Sequence, residues 1–166
     1  AVAVGRADGA CELRAQLVRP ATRLSRRSPQ ERPSGIVYTH GGSERQFFGA
    51  FHFSAAYAQQ YAVNQWLAAT RNVAVLSVNY RSGVGYGAAF RLCERCMDQG
   101  AAEYADVRSA AEVLLGLRNS SPPLGWSASR IGIWGASYGG LNALQAAARD
   151  SQLFAAAAAI APRFNW

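Results

Sequence analysis

Gly135-Ala136-Ser137-Tyr138-Gly139 is a G-x-S-x-G pentapeptide. Such a pattern can carry acyl-transfer chemistry, because it can hold a serine hydroxyl out on a sharp turn between a strand and a helix. A glycine two residues to either side of Ser137 lets the neighbouring strand and helix approach without a side chain between them. The pentapeptide alone is common by chance, so its surroundings decide. Ile131 and Ile133 precede it in a short β-branched run, and Gly140 leads into a helical stretch ending at Arg149. That is the strand–turn–helix an exposed nucleophile requires. The helix start would also point backbone N–H groups, that of Tyr138 among them, toward developing negative charge. Ser137 is therefore the candidate nucleophile, with Gly135 and Gly139 supporting its turn; the competing reading is a turn with an incidental serine.

His40-Gly41-Gly42 is the second group of interest. Glycines directly after a strand allow close backbone approach and can present an N–H to an oxyanion. The Gly42 and Tyr138 amides together would make a two-donor oxyanion hole. His40 precedes Ser137 by 97 residues, whereas in this strand–turn–helix architecture the base follows the nucleophile along the chain. His40 is accordingly expected to pack under the glycine loop, and His52 to lie at the surface or at the start of a helix.

These residues need a scaffold. The first residues and residues 11–18 read as strands, and 19–34 as an Arg/Pro/Ser-rich loop. Gly35 to Thr39 is a short apolar strand feeding the glycine turn. Ala55 to Thr70 places Tyr57, Tyr61, Asn64 and Ala68 on one helical face. Val73 to Tyr80 is almost continuously apolar, as a strand buried on both faces should be, and a glycine-rich loop, Arg81 to Gly87, follows. Ala101 to Leu117 carries a helical stripe of Tyr104, Val107, Ala111, Leu114 and Leu115; a loop from Ser120 to Ser129 leads into the strand before Ser137. Phe154 to Ala161 is ambiguous: its five consecutive alanines favour helix, its place in the alternation favours strand. Alternating strands and helices predict an α/β fold with a mostly parallel sheet covered on both faces. Ligand sites of such sheets lie at the carboxyl ends of strands, where His40-Gly41-Gly42, the Arg81–Gly87 loop and Ser137 all fall.

Composition narrows the remaining classes. Half of the 166 residues are hydrophobic and 16% are charged, which suits one globular domain rather than a disordered chain. No apolar run approaches the 18 residues of a membrane span. The net charge of +7 comes from 17 arginines with no lysine. Arg19, Arg23, Arg26, Arg27 and Arg32 cluster among Ser and Pro without interleaved aromatics, which favours a solvated loop over a nucleic-acid surface. Cys93 and Cys96 form a C-x-x-C pair, but only Cys11 and two distant histidines could complete a zinc site. The expectation is no metal and no cofactor, with a local disulfide open in an oxidising compartment. No charged n-region with an apolar h-region is visible, so the expected location is cytoplasmic.

Three segments taken together carry a resemblance: V-Y-T-H-G-G-S (37–43), A-V-L-S-V-N-Y-R-S-G-V-G-Y-G (74–87) and R-I-G-I-W-G-A-S-Y-G-G (130–140). The chain resembles the catalytic domain of the prolyl oligopeptidase family, in its acylaminoacyl-peptidase and dipeptidyl-peptidase-like branch. The resemblance implies an α/β-hydrolase fold with a partial core over 35–166, preceded by an N-terminal strand region over 1–18. It implies peptide substrates, Ser137 as the acylated nucleophile, Gly42 and Tyr138 as backbone oxyanion donors, and Gly41 and His40 as residues shaping that loop. Ser43 stands where many relatives have proline. The family's acid and base lie downstream of the nucleophile, but no histidine follows His52 and Asp150 is the one acid after Ser137. The triad Asp and His are thus expected outside this chain, as are the last strands of the sheet and the preceding β-propeller. A carboxylesterase or lipase with the same elbow, and a non-catalytic remnant, are the competing readings.

Overall fold

The computed structural model describes residues 2–4, 12–20, 34–50, 52–98, 100–117, 120–121, 124 and 127–164. The arginine cluster beyond Arg19, Cys11 and the Pro122-Pro123 segment lie outside them.

Among the described residues seven strands and four helices follow one another as β1 (Val2–Val4), β2 (Leu13–Val18), β3 (Ser34–Thr39), α1 (Ala55–Arg71), β4 (Val73–Asn79), α2 (Ala88–Arg91), α3 (Ala101–Leu114), β5 (Ser120–Ser121), β6 (Ile131–Ala136), α4 (Tyr138–Arg149) and β7 (Ala156–Ile160). They form one sheet in the order β5-β1-β2-β4-β3-β6-β7. The four strands β4, β3, β6 and β7 pair in parallel, while β1, β2 and β5 add on antiparallel. The sheet is mostly parallel, as strand–helix alternation predicts, with antiparallel strands at its N-terminal side. The antiparallel pairing of β1 with β2 follows from chain length: only eight residues separate them, and a parallel neighbour needs a crossover of about a dozen or more.

Alternate side chains of the central strands feed two separate cores. Val37, Leu76, Val78, Ile131 and Ile133 pack with Tyr104, Val107 and Ala111 of α3 and with Ala143 and Ala146 of α4. Tyr38, Val75 and Trp134 point the other way and pack with Phe47 and Tyr57, the latter on α1. Period-two alternation in the strands therefore puts helices on both faces. The α1 stripe buries Tyr57, Asn64 and Ala68. Asn64 is satisfied there: it donates to Ser77 Oγ at 3.3 Å and accepts from Trp134 Nε1 at 3.0 Å, which offsets the cost of burying an amide.

The alanine run is a strand. Ala156 to Ile160 align with Gly132 to Ala136, and the ladder continues at both ends through Ala155 N to Ile131 O and Ser137 N to Ile160 O. The intrinsic helix preference of alanine is a fraction of a kilocalorie per residue, and a row of ladder hydrogen bonds outweighs it. β7 is the outermost strand on its side of the described sheet, and Ala156, Ala157 and Ala158 are exposed. Among the described residues no helix is long and apolar enough to cross a membrane.

Candidate active site

Ser137 occupies the one-residue turn between β6 and α4 with φ 56° and ψ −116°. A non-glycine residue in that conformation is strained, and the surroundings hold it there. Its N–H donates to Ile160 O at 3.0 Å, while its carbonyl accepts from Leu141 N at 3.1 Å and Arg163 N at 3.2 Å. The residue is exposed although both its flanks are packed. The glycines of the pentapeptide are sterically obligatory. A Cβ at Gly139 would stand 2.0 Å from Thr39 O, and one at Gly135 would stand 2.5 Å from that same oxygen and 2.6 Å from Gly139 C. Strand β3, strand β6 and helix α4 meet at this point with no room for a side chain. Asn142 on α4 adds a hydrogen bond to Thr39 Oγ1 at 3.1 Å.

The His40-Gly41-Gly42 loop leaves β3 at the same end of the sheet and lies against the turn. A Cβ at Gly41 would come within 3.0 Å of Ala136 O and 3.4 Å of Ser137 Cβ. Two buried tyrosines fix the loop from below. Tyr80 Oη donates to His40 O at 2.7 Å, and Tyr57 Oη donates to Gly41 O at 2.6 Å. A trans peptide points its C=O and the following N–H in opposite directions. Anchoring the Gly41 carbonyl on Tyr57 therefore turns the Gly42 N–H away from α1. Gly42 itself has φ +62°, which glycine adopts without strain.

The glycine-rich loop after β4 braces this arrangement. Asn79 receives Phe47 N at 2.8 Å and donates to Phe47 O at 3.1 Å and to Tyr86 Oη at 2.9 Å. One amide thus ties the segment after Gly42 to the Arg81–Gly87 loop. Gln46 reaches the same phenol at 3.0 Å. Arg81 then pins the loop to α3 through Asp106, with its backbone N–H 2.8 Å and its guanidinium 2.9 Å from the carboxylate. Both side chains are nearly fully buried, so each needs the other.

His40 is fully buried and stacked on Tyr80 with ring centroids 4.3 Å apart. Burial pulls its pKa down to about 4, the hydrogen bond to the Gly41 carbonyl opposes this, and the nearby Arg45 and His52 add to the lowering. His40 is thus a neutral imidazole packed beneath the loop. His52 is buried, not a surface residue; Phe53 and Tyr57 flank its ring, and its Nδ1 accepts the Ser54 amide at 3.1 Å one residue before α1. Asp150 ends α4 and is committed elsewhere: it accepts from Tyr104 Oη at 2.5 Å and lies 3.4 Å from Arg108 Nε. Tyr138 is buried beside Glu103, and burial first, then that carboxylate, push its phenol above the usual range. Cys93 and Cys96 are joined in a disulfide. Among the described residues no cluster of three or more His, Cys, Asp or Glu could hold a metal.

Tyr57, Tyr80, Asn79 and Asp106 have no motif that marks them, because each acts through a partner 16 to 40 residues away. Asn79 and Tyr80 do fall inside the 74–87 segment that carries part of the family resemblance, but nothing in that segment names their partners.

A family model described as the prolyl oligopeptidase family matches residues 59–166. Among solved structures, a Mycobacterium tuberculosis puromycin-hydrolyzing peptidase superposes with a TM-score of 0.68 at 22% identity, over 92% of this chain and 20% of that one. Porphyromonas gingivalis dipeptidyl peptidase 4 gives 0.65 at 26% identity, over 98% of this chain and 20% of that one. A Pyrococcus horikoshii acylaminoacyl peptidase gives 0.62 at 23% identity, over 92% and 21%. The chain spans about a fifth of the length of these structures. No curated protein matches it.

Proposed function

The chain belongs to the prolyl oligopeptidase family, and on that premise we propose that it carries the nucleophile and oxyanion side of a serine peptidase site acting on peptide bonds. The observation that carries this reading is the strained, exposed Ser137 at the head of α4 with the Gly41-Gly42 loop packed against it.

In the proposed reaction Ser137 Oγ bonds to the scissile carbonyl carbon, and its proton passes to a general base. The carbonyl oxygen becomes an oxyanion that accepts from the Gly42 and Tyr138 amides. Collapse expels the amine, which takes a proton, and water then hydrolyses the acyl-enzyme. Tyr138 suits its role because the first N–H groups of a helix have no partner within it. The base is not assigned to either histidine of the chain. His40 is buried and stacked on Tyr80, and the His52 Nδ1 is occupied by Ser54. Asp150, held by Tyr104 and Arg108, is not assigned as the triad acid. With Asp and His supplied from outside these residues, the chain alone turns over slowly, since losing the base costs several orders of magnitude.

A fluorophosphonate probe tests the assignment in a protein that carries the whole triad, where a base activates Ser137. Intact-mass and peptide mapping should place a single adduct on Ser137, absent in Ser137→Ala. Labelling elsewhere, or none after prolonged incubation, would overturn it. Rapid hydrolysis of aminoacyl p-nitroanilides by the 166-residue chain would overturn the assignment of the base. Faster turnover of p-nitrophenyl esters than of anilides in a protein carrying the whole triad would favour an esterase instead.

A further inference from the structure

A cavity of about 580 Å³ opens beside Gly42, and Arg45, His52, Phe53, Tyr57 and Arg163 help to line it. Its size falls in the range of small-ligand sites. Its position ties it to the nucleophile: the Arg163 backbone N–H donates to Ser137 O at 3.2 Å, and Gly42 belongs to the loop packed on Ser137.

The charge of this cavity is one-sided. Among the described residues of its lining Glu44 is the one acid, and Arg91 already pairs with it at 3.0 Å. Arg45 is exposed, and among the described residues its guanidinium has no carboxylate partner. Its side chain lies directly across Gly42, with Nε and Cδ 2.9 Å from where a Cβ of that residue would stand. The Arg45 side chain thus stands beside the Gly41-Gly42 loop, on the wall of the cavity. Phe48, Phe53, Val84 and Met97 supply apolar wall on the remaining sides.

We propose that this cavity is a substrate subsite for a carboxylate close to the scissile bond, with Arg45 as the residue that recognises it; the proposal rests on Ser137 being the nucleophile. A guanidinium presents paired N–H donors that match a carboxylate, and the apolar walls accommodate the chain leading to it. Two sources share this chemistry: an acidic side chain near the cleaved bond, or the terminal carboxylate of a short peptide.

The test is protection of Ser137 from a neutral fluorophosphonate by blocked dipeptides, in a protein that carries these residues together with the whole triad, read by intact mass. Acetyl-Ala-Glu-amide is compared with acetyl-Ala-Gln-amide for the side-chain source, and acetyl-Ala-Ala with its amide for the terminal source. Within whichever pair carries the preference, the acid should protect at about fivefold lower concentration than its neutral counterpart, the scale of a partly exposed ion pair. That preference should vanish in Arg45→Gln, persist in Arg108→Gln on α3, and shrink at high salt as screening requires. Equal protection by acid and neutral peptides in both pairs overturns the subsite while leaving Ser137 in place. A preference that survives Arg45→Gln overturns the role of Arg45. Absence of any Ser137 labelling overturns the nucleophile and the subsite together.

Discussion

The phenol of Tyr57, on the first turn of α1, donates a 2.6 Å hydrogen bond to the carbonyl oxygen of Gly41, two residues beyond the end of β3 at Thr39.

 That bond fixes the peptide plane whose N–H belongs to Gly42. Tyr57→Phe keeps the ring packed against Phe47 and His52 but frees the plane to turn. Fluorophosphonate labelling of Ser137 should slow about tenfold, equivalent to about 1.4 kcal/mol of transition-state stabilisation. Folding stability should fall by only about 1 kcal/mol, the net worth of one hydrogen bond. An unchanged labelling rate would show that the Gly42 amide is not aimed by this residue.

The elbow glycines predict a contrast within strand β6 and its turn. Gly139→Ala places a methyl 2.0 Å from the Thr39 carbonyl, so the sheet or the helix must move. The cost should be about 3 kcal/mol or more, at the upper end of overpacking effects, and Ser137 labelling should be lost with it. At Gly132 the nearest atoms to an added Cβ are Ala156 O at 3.5 Å and Ile36 Cγ1 at 3.8 Å. Gly132→Ala should therefore lie within about 0.5 kcal/mol of the parent, or stabilise it slightly by restricting the unfolded chain. Urea midpoints of the two variants measure the difference.

His40 makes stability depend on pH in a defined window. Its folded pKa, about 4, lies below the ordinary value of 6.5, so between those values the unfolded chain binds the extra proton. Its contribution is present in full above pH 6.5 and is lost as pH falls through that window, levelling off below 4. The slope it contributes cannot exceed about 1.4 kcal/mol per pH unit. Urea melts from pH 4 to pH 7.5 should show the decline, and His40→Gln should flatten it. NMR of the His40 ring should show no titration above pH 5.5.

Arg81 and Asp106 form the buried tie between the glycine-rich loop and α3. Asp106→Ala leaves a guanidinium in the interior and should cost about 3–5 kcal/mol. Replacing both partners with apolar residues of similar size should recover much of that loss. Chemical denaturation of the two variants provides the check, and equal destabilisation in both would show that the charge pair is not the source.

Ser137 and its glycines were legible in the sequence because their constraint is local. A serine held at positive φ between a strand and a helix needs small neighbours at fixed offsets, and those offsets appear directly as G-x-S-x-G. The two helices with long apolar stripes and the buried strands were legible for a similar reason, since period 3.6 and continuous apolarity reflect burial. What the tertiary structure decided were the relationships that span the chain. The alanine run became strand β7 through pairing with β6, and its composition alone pointed to a helix. The strands β1 and β2 joined the sheet antiparallel, a choice made by their neighbours rather than by their residues. Tyr57 and Tyr80 acquired their roles because α1 and β4 bring their hydroxyls to the two carbonyls of one loop. Hydrogen bonds of that kind leave no periodic trace: a tyrosine in an apolar stripe looks the same whether its hydroxyl meets a backbone carbonyl or solvent.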